Sequence, residues 1–398
     1  MSSKIALLQA NPVVGDISGN AEMISKLAKL AAEHGSSFAV TTELAISGYP
    51  PRDLLLQPDF IDECHRVASS LNTEIPVLVG TPVPAEDDRS LPGNGVVRAG
   101  DSVREITRKQ LLPTYDVFDE ERYFEADERP GIARTIAGLD IGVTVCEDAW
   151  QHCRATPNDY DSDPIAQIVE WGRQGVILHA TVNLSASPYH ANKSGVRIEV
   201  ARSAAASLNH PFLLANQVGG NDDLLFDGRS IIAWPDGTTV IAPAWSEGVL
   251  ITDLASPESC YWVGDGEVTI LQADENLEET EDELLDAIII GLSDYCKKSG
   301  ISKIVLGLSG GIDSALAACI ASAAVGPENV TGISMPSKHS SQHSIDDAKA
   351  TAEALGINFS MRSISSLHEA TDVALDDILN TGHPVAGENL QARLRALI

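Results

Sequence analysis

Short apolar runs alternate with amphipathic stretches from residue 5 to about residue 260, which is the pattern of an α/β fold. In one such stretch Asn20 is a candidate helix cap, and the apolar residues at 24, 27, 30 and 31 share one helix face. A second helix is predicted over residues 194–206. Strands are predicted at residues 5–9, 37–42, 77–80, 141–146, 176–182, 212–216, 230–234 and 238–241.

The pattern changes near residue 265. Between residues 274 and 286, eight of thirteen residues are acidic, and we interpret this run as a solvated helix face rather than a docking surface. Beyond it, predicted strands alternate with predicted helices, which is typical of a parallel sheet. The strands are at 303–308 and 330–335, and the helices are at 313–324 and 345–355. We therefore expect a first domain at 1–265, an acidic linker at 266–280 and a second domain at 281–398.

The second domain is short for an open parallel sheet, which normally has roughly four to six strands. Residues 281–398 supply two or three βα units, and the last residues, ENLQARLRALI, have the pattern of the middle of a helix. We therefore expect a chain that is truncated at its C-terminus, with an incomplete final sheet.

Composition and charge narrow the function classes. The 398 residues are 43% hydrophobic without an apolar run of membrane-spanning length, which predicts a cytoplasmic protein. The net charge of −30 repels nucleic-acid phosphates and anionic lipid headgroups, so neither nucleic acid nor membrane is an expected partner. The six cysteines form no CxxC pair and no Cys/His cluster with zinc spacing, so we expect reduced thiols and no structural metal.

One candidate catalytic group consists of three residues that each follow a predicted strand. Cys146 follows the apolar run IGVTV, Glu43 follows FAVTT and Lys109 follows EITR. If these strands are neighbours in one sheet, the three side chains converge at its carboxyl edge, with Glu43 as general base and Lys109 stabilising the thiolate and an oxyanion. For each residue alone, an inert core cysteine or a solvated strand end is the commoner explanation.

Three local sequences favour the catalytic interpretation. TTELAISGYPPRDLL, RKQLLPTYDVFDEERYF and VTVCEDAW together resemble the nitrilase superfamily of carbon-nitrogen hydrolases, and more narrowly the glutaminase domain of glutamine-dependent NAD synthetases. The resemblance covers nearly all of residues 5–265 and implies a four-layer αββα sandwich, a homo-oligomer and a Glu43, Lys109 and Cys146 triad. It also implies that glutamine is bound by Tyr115, Glu147, Ser187 and Lys193.

A second candidate site is the glycine-containing turn in IVLGLSGGIDSALAACIA. Gly310 and Gly311 let backbone N–H groups approach an anion, and Ser309 and Ser314 add hydroxyl donors at a helix N-terminus. The segment lacks the GxxxxGK[ST] lysine, which argues against ordinary γ-phosphoryl transfer. Asp313 would repel a phosphate unless a cation intervened, so Asp313 is a candidate Mg²⁺ ligand.

The motif SGGIDS is similar to the ATP-pyrophosphatase loop of adenylating amidotransferases. Together with MPSKHSSQHSIDDAKATAEALGI and ENLQARLR, it resembles NAD synthetases and implies an incomplete Rossmann-like parallel α/β domain. The implied substrates are glutamine, ATP and deamido-NAD+, with ammonia displacing AMP from an adenylated carboxylate. The implied ATP-binding residues are Leu308, Ser309, Gly310, Gly311, Asp313 and Ser314, and the implied deamido-NAD-binding residues are Asn389 and Arg393.

Three other functions stay open from the sequence. The chain could act as a stand-alone glutaminase or amidase with a non-functional ligase remnant, or as a nucleotide-binding subunit in which Cys146 is structural. Another adenylating amidotransferase, acting for example on a purine nucleotide, is less expected because its glutaminase would normally have a different fold.

Overall fold

The computed structural model describes residues 4–85, 90–100, 103–273, 281–337, 340–375 and 386–398. The chain divides into two compact units, Met1–Ala287 and Ile288–Ile398. Among the described residues, no helix combines the length and apolar character that crossing a bilayer requires.

Within its described residues, the first unit contains two large sheets and a short hairpin. Sheet A has the strand order β16-β15-β14-β1-β2-β3-β4-β5, sheet B has the order β13-β12-β9-β8-β7-β6, and β10 pairs with β11. The strands are β1 (Lys4–Gln9), β2 (Phe38–Val40), β3 (Val77–Val83), β4 (Gly93–Ala99), β5 (Arg104–Arg108), β6 (Gly131–Ile136), β7 (Leu139–Val145), β8 (Ala180–Ser185), β9 (Phe212–Asn216), β10 (Val218–Asn221), β11 (Leu224–Asp227), β12 (Ile231–Ala233), β13 (Thr239–Ile241), β14 (Gly248–Asp253), β15 (Ser256–Gly264) and β16 (Glu267–Ile270).

Helices cover the outer faces of both sheets. The helices of this unit are α1 (Ile17–Glu33), α2 (Pro58–Ser70), α3 (Pro164–Arg173) and α4 (Lys193–Leu208). Along β1, Ile5 and Leu7 pack between the two sheets, whereas Ala6 and Leu8 pack toward α1 and α2. On the other side, α3 and α4 pack against the outer face of sheet B. Because successive strand residues point to opposite faces, each central strand serves two cores, and the predicted four-layer αββα sandwich is confirmed.

One helix and one strand of this unit begin at residues other than the predicted ones. Helix α1 begins at Ile17, because Asp16 rather than Asn20 provides the cap and accepts a 2.9 Å hydrogen bond from Gly19 N–H. Asn20 is buried within the helix, where its amide donates to the carbonyls of Val13 and Ile46. The strand predicted over residues 176–182 is β8, which begins only at Ala180.

The first sheet extends past the predicted domain boundary. Asp265 and Gly266 both have positive φ, and this two-residue turn joins β15 to β16, in which Gly264 pairs with Glu267. An Asp-Gly pair between strand-like runs is a strong hairpin signal, and residues 267–270 of the predicted linker form the edge strand of sheet A. Residues 274–280 of the predicted linker lie outside the described residues.

The second unit has the predicted parallel arrangement. Its described strands are β17 (Ile304–Gly307), β18 (Val330–Ser334) and β19 (Asn358–Met361), hydrogen-bonded in that order and all parallel. Helix α5 (Glu281–Lys298) crosses the division between the units and is followed by α6 (Ile312–Val325), α7 (Gln342–Leu355), α8 (Ser365–Ala374) and α9 (Ala386–Arg395). A small core holds α6 and α7 on the sheet, with Ala318, Val330 and Ala348 completely buried.

Candidate active site

Cys146 lies at the point where β7 ends. Its φ of +42° reverses the chain out of the strand, and the 3₁₀ turn Cys146–Ala149 follows. The Asp148 carboxylate accepts hydrogen bonds from the backbone N–H groups of Val145, Gln110 and Leu111 at 2.9–3.0 Å. Asp148 therefore fixes the turn of the cysteine against the segment that follows Lys109.

We expected the three triad residues to follow neighbouring strands of one sheet. The structure shows a different arrangement. Glu43 follows β2 and Lys109 follows β5, which lie apart in sheet A, whereas Cys146 follows β7 of sheet B. The two sheets meet at this end of the sandwich, where Ala186, directly after β8, donates its N–H to Glu43 Oε2 at 3.1 Å. The site therefore forms between facing sheets.

Glu43 is completely buried and held by three donors. Its Oε1 accepts from Lys109 Nζ at 2.8 Å and from Asn94 Nδ2 at 2.7 Å, and its Oε2 accepts from Ala186 N–H. Gly80 lets β3 lie close to the backbone that leads into Glu43, because a Cβ at Gly80 would lie 2.4 Å from the carbonyl oxygen of Thr42.

Lys109 lies between two buried carboxylates. Its Nζ contacts both oxygens of Glu120, at 2.8 and 2.9 Å, in addition to Glu43, and Tyr49 donates to Glu120 Oε1 at 2.9 Å. Burial opposes the charge of Lys109, but Glu120 and Glu43 raise its pKa well above the ordinary value. Burial raises the pKa of Glu120 to about 7. Sequence reasoning missed Glu120, although it lies within the quoted FDEERYF segment.

The surroundings of Cys146 favour the protonated form of its thiol. Burial raises the pKa of Cys146 well above its ordinary value, and Glu43 adds to this shift while Lys109 opposes it. Because the charges of both residues act on the sulfur, the three predicted triad members form one electrostatic unit. A protonated thiol needs a base at the moment of attack, and Glu43 is a buried carboxylate suited to that role.

Cys146 opens onto a cavity of about 210 Å³. The same cavity is lined by all four predicted glutamine-binding residues, Tyr115, Glu147, Ser187 and Lys193. Its other lining residues are Asp116, Phe118, Trp150, Ala155, Pro157, His190 and Val196.

The cavity carries opposite charges beside the thiol. Glu147 Oε1 accepts from Tyr115 OH at 2.9 Å and from Tyr160 OH at 3.3 Å, and sequence reasoning missed Tyr160. Lys193 Nζ lies 5.4 Å from the centre of the Trp150 ring, and burial lowers its pKa to about 8. A carboxylate and an ammonium group on one cavity suit a zwitterionic ligand such as an amino acid.

Ser187 adds a free hydroxyl to the same cavity. Its backbone N–H donates to Asn216 Oδ1 at 2.9 Å, which ties it to the last residue of β9. Its buried Oγ has no hydrogen-bond partner among the described residues, so it is available to a ligand.

In the second unit, residues 309–314 comprise the predicted turn after β17 together with the first three residues of α6. Gly310 has a φ of +83°, and a Cβ there would lie 2.2 Å from the carbonyl oxygen of Ser344. Ser309 Oγ accepts from Gly311 N–H at 3.2 Å, and Ser314 Oγ donates to the Gly311 carbonyl at 2.9 Å. Both glycines therefore lie at the N-terminus of α6, the end of a helix that favours anions.

A cavity of about 320 Å³ adjoins this turn. Leu308, Ser309, Ser344 and Arg395 are among its lining residues, and Arg395 Nε donates to the Met335 carbonyl at 3.2 Å. Sequence reasoning missed Arg395, although it lies two positions after the predicted Arg393.

Three other predicted residues of this unit are exposed. Asn389 and Arg393 lie on α9, and neither lines the 320 Å³ cavity formed by the described residues. Asp313 is exposed in the first turn of α6. In the described part of the chain, no group of three or more His, Cys, Asp or Glu side chains is arranged to hold a metal ion.

Two known families match successive parts of the chain. Residues 4–259 match the carbon-nitrogen hydrolase family, and residues 284–398 match the NAD synthase family.

Curated relatives match both parts together. The glutamine-dependent NAD(+) synthetase of Synechocystis sp. is 39% identical over 404 residues, covering 98% of this chain and 70% of the relative. The protein of the same name from Aquifex aeolicus is 36% identical, covering 99% of this chain and 71% of the relative.

Solved structures agree with these matches. The glutamine-dependent NAD+ synthetase of Acinetobacter baumannii, solved with ADP, superposes with a TM-score of 0.84 at 29% identity, covering 99% of this chain and 71% of that one. An amidase from Nesterenkonia sp. matches with a TM-score of 0.52 at 20% identity, covering 64% of this chain and 91% of that one, and supports the fold of the first unit alone.

Proposed function

The chain belongs to the glutamine-dependent NAD(+) synthetase family, and we propose that Cys146, Glu43 and Lys109 release ammonia from glutamine for the amidation of ATP-activated deamido-NAD+. The observation that carries the residue roles is the cavity at Cys146, which is lined by all four predicted glutamine-binding residues. The buried Lys109–Glu43 ion pair, whose charges act on the sulfur, supplies the second part of the argument.

The cavity binds glutamine through both charged groups of its amino-acid end. The Lys193 ammonium pairs with the α-carboxylate, and Glu147 accepts from the α-ammonium group. The Ser187 hydroxyl, which lacks a partner among the described residues, hydrogen-bonds the amino acid. These contacts direct the side-chain amide toward Cys146.

The first chemical step forms a thioester. Glu43 takes the thiol proton as the sulfur of Cys146 bonds to the amide carbon, and the C=O electron pair moves to oxygen. Lys109 stabilises the negative charge that develops there. When the intermediate collapses, the C–N bond breaks, and Glu43 gives its proton to the departing ammonia.

A water molecule then completes the cycle. Glu43, again a carboxylate, takes a proton from water as the oxygen attacks the thioester carbon. The C–S bond breaks, the proton returns to the sulfur, and glutamate leaves.

The second unit activates the carboxylate of deamido-NAD+, which accepts the ammonia. The turn at residues 309–314 and the N-terminus of α6 bind the β- and γ-phosphates of ATP while the carboxylate of deamido-NAD+ attacks the α-phosphate. The bond between the α- and β-phosphates breaks, pyrophosphate leaves, and the carboxylate is joined to AMP. Ammonia then displaces AMP, a much better leaving group than the oxygen of a free carboxylate.

Asp313 is the proposed Mg²⁺ ligand. Asp313 lies in the first turn of α6, and the neighbouring Ser314 contacts the Ser309 hydroxyl at 3.1 Å. Carboxylate and hydroxyl oxygens suit a hard cation that is also bound by ATP phosphates. When bound, Mg²⁺ neutralises phosphate charge.

The homo-oligomer expected from the sequence stays a prediction, which light scattering on the purified protein tests.

A stand-alone glutaminase is not favoured as an alternative. Residues 284–398 match the NAD synthase family, and the curated glutamine-dependent NAD(+) synthetases align with both parts of the chain, which favours a part for the second unit in the reaction over a non-functional ligase remnant.

Two substitutions test the two-site proposal. Cys146→Ala should abolish ammonia release from glutamine, while Cys64→Ala, at a buried cysteine of α2, should leave it unchanged. Asp313→Ala should abolish pyrophosphate release that depends on ATP and deamido-NAD+, but not ammonia release. Full ammonia release by Cys146→Ala would refute the proposal for the first unit, and unchanged pyrophosphate release by Asp313→Ala would refute it for Asp313.

A further inference from the structure

The two oxygens of Glu43 have different surroundings. Oε1 accepts two hydrogen bonds, from Lys109 Nζ at 2.8 Å and from Asn94 Nδ2 at 2.7 Å. Among the described residues, Oε2 accepts one, from Ala186 N–H at 3.1 Å. A carboxylate oxygen has about two lone-pair positions, so Oε1 is saturated and Oε2 keeps one position open.

Asn94 is held firmly enough to maintain this difference. It lies in β4, is 1% exposed, and its carbonyl accepts the backbone N–H of Lys109 at 2.8 Å. Its amide must face Glu43 with Nδ2, because Oδ1 in that place would repel the carboxylate. Oδ1 is buried without a hydrogen-bond partner among the described residues, so the contact with Glu43 is what orients the side chain.

We propose that Asn94 is a positioning residue that saturates Oε1 of Glu43 and thereby makes Oε2 the oxygen that accepts the Cys146 proton. This inference rests on the proposed glutaminase function and adds the identity of the proton-accepting atom. Asn94 does not line the 210 Å³ cavity and needs no contact with substrate to act in this way.

The consequence is a defined direction of proton transfer. Ala186 directly follows β8 of sheet B, the sheet that carries Cys146, and it contacts Oε2. The open position of Glu43 is therefore on the oxygen tied to the sheet of the cysteine. Without Asn94, Oε1 would compete for the proton, and the ionised form of Glu43 would lose one donor.

The test compares Asn94→Leu and Asn94→Asp with the wild type, by glutamine hydrolysis as a function of pH. For Asn94→Leu we expect kcat to fall on the order of ten- to a hundred-fold, with KM for glutamine nearly unchanged. The acidic limb of the pH profile should move to higher pH, since the ionised form of the base loses a hydrogen-bond donor. Asn94→Asp keeps the shape of the side chain but adds a second carboxyl group, so the acidic limb of its pH profile should also move to higher pH.

A packing role would give a different result. It would lower kcat of Asn94→Leu without moving the acidic limb of its pH profile, and that outcome overturns the inference. If Asn94→Leu does not fold, an unmoved limb in Asn94→Asp, where a second carboxyl group replaces the donor, overturns it as well. Asn20→Leu, a buried asparagine of α1 whose amide also donates to its surroundings, is the control and should leave the pH profile unmoved. Failure of the glutaminase proposal is distinguishable, because Cys146→Ala would then still release ammonia.

Discussion

The side-chain nitrogen of Lys109 lies 2.8 Å from Oε1 of Glu43, although the two residues are 66 positions apart in the chain. Both are essentially inaccessible to solvent, and the same nitrogen contacts Glu120. One buried ammonium thus neutralises part of the charge of two buried carboxyl groups. Burial and Glu43 raise the pKa of the Cys146 thiol, so attack on a substrate needs a base that removes the thiol proton, and the buried Glu43 carboxylate is suited to that role.

Removing the ammonium should therefore cost both stability and activity. Lys109→Met leaves Glu43 and Glu120 buried without their cation, and breaking a buried ion pair costs about 3–5 kcal/mol. We expect a loss of that size in the free energy of unfolding, measured by urea denaturation, and loss of glutamine hydrolysis. Lys109→Met combined with Glu120→Gln should recover part of the stability but not the activity. Equal stability of Lys109→Met and wild type would contradict this account.

Glu120 should make stability depend on pH. Burial raises its pKa from the ordinary 4.5 to about 7. Between these values the native protein keeps a proton that the unfolded chain has lost, so this contribution to the free energy of unfolding is present below pH 4.5 and declines toward pH 7. Glu120→Gln should flatten the curve over that range in urea denaturation at several pH values. Glu22→Gln, at an exposed position of α1, should not. Parallel curves for Glu120→Gln and wild type would show the prediction to be wrong.

Lys193 should make glutamine binding depend on pH. Burial lowers its pKa to about 8, so the cavity loses the Lys193 ammonium as the pH rises through that value. KM for glutamine should then rise between pH 7 and pH 9 in the wild type, and less in Lys193→Arg, because a guanidinium stays charged. The exposed Lys29→Arg is the control and should follow the wild type. An identical rise in Lys193→Arg would remove Lys193 from the glutamine site.

Gly310→Ala should impair the second site selectively. A Cβ at Gly310 would lie 2.2 Å from the Ser344 carbonyl and would occupy a φ of +83°. Gly356→Ala is a matched control, because its φ is also positive while nothing lies within 4 Å of the added carbon. We expect ATP- and deamido-NAD-dependent pyrophosphate release to fall strongly in Gly310→Ala alone, with ammonia release retained in both. Equal pyrophosphate release in the two variants would contradict a close-packed anion turn.

Local sequence patterns predicted much of this molecule. The strand ends at Glu43, Lys109 and Cys146 were visible from apolar runs, and the turn at residues 309–314 was visible as strand, glycines and helix. Each of these features depends on a few consecutive residues, whose periodicity and turn chemistry are local properties.

The pairing of strands was not predictable in this way. Apolar runs do not specify that β2 and β5 belong to one sheet and β7 to the facing sheet, since that depends on long-range contacts. Glu120 and Asn94 were missed for the same reason. Each is a common polar residue whose importance comes from its contact with Lys109 or Glu43 across the fold.

The central claim is that the sulfur of Cys146 becomes bonded to the amide carbon of glutamine. The most direct measurement is mass spectrometry of the wild-type protein, quenched with acid during turnover of glutamine and digested. The account predicts a γ-glutamyl thioester on the peptide that contains Cys146, absent from Cys146→Ala and unchanged in Cys64→Ala. Hydrolysis of glutamine without any acylation of that peptide, or with acylation at another residue, would contradict it.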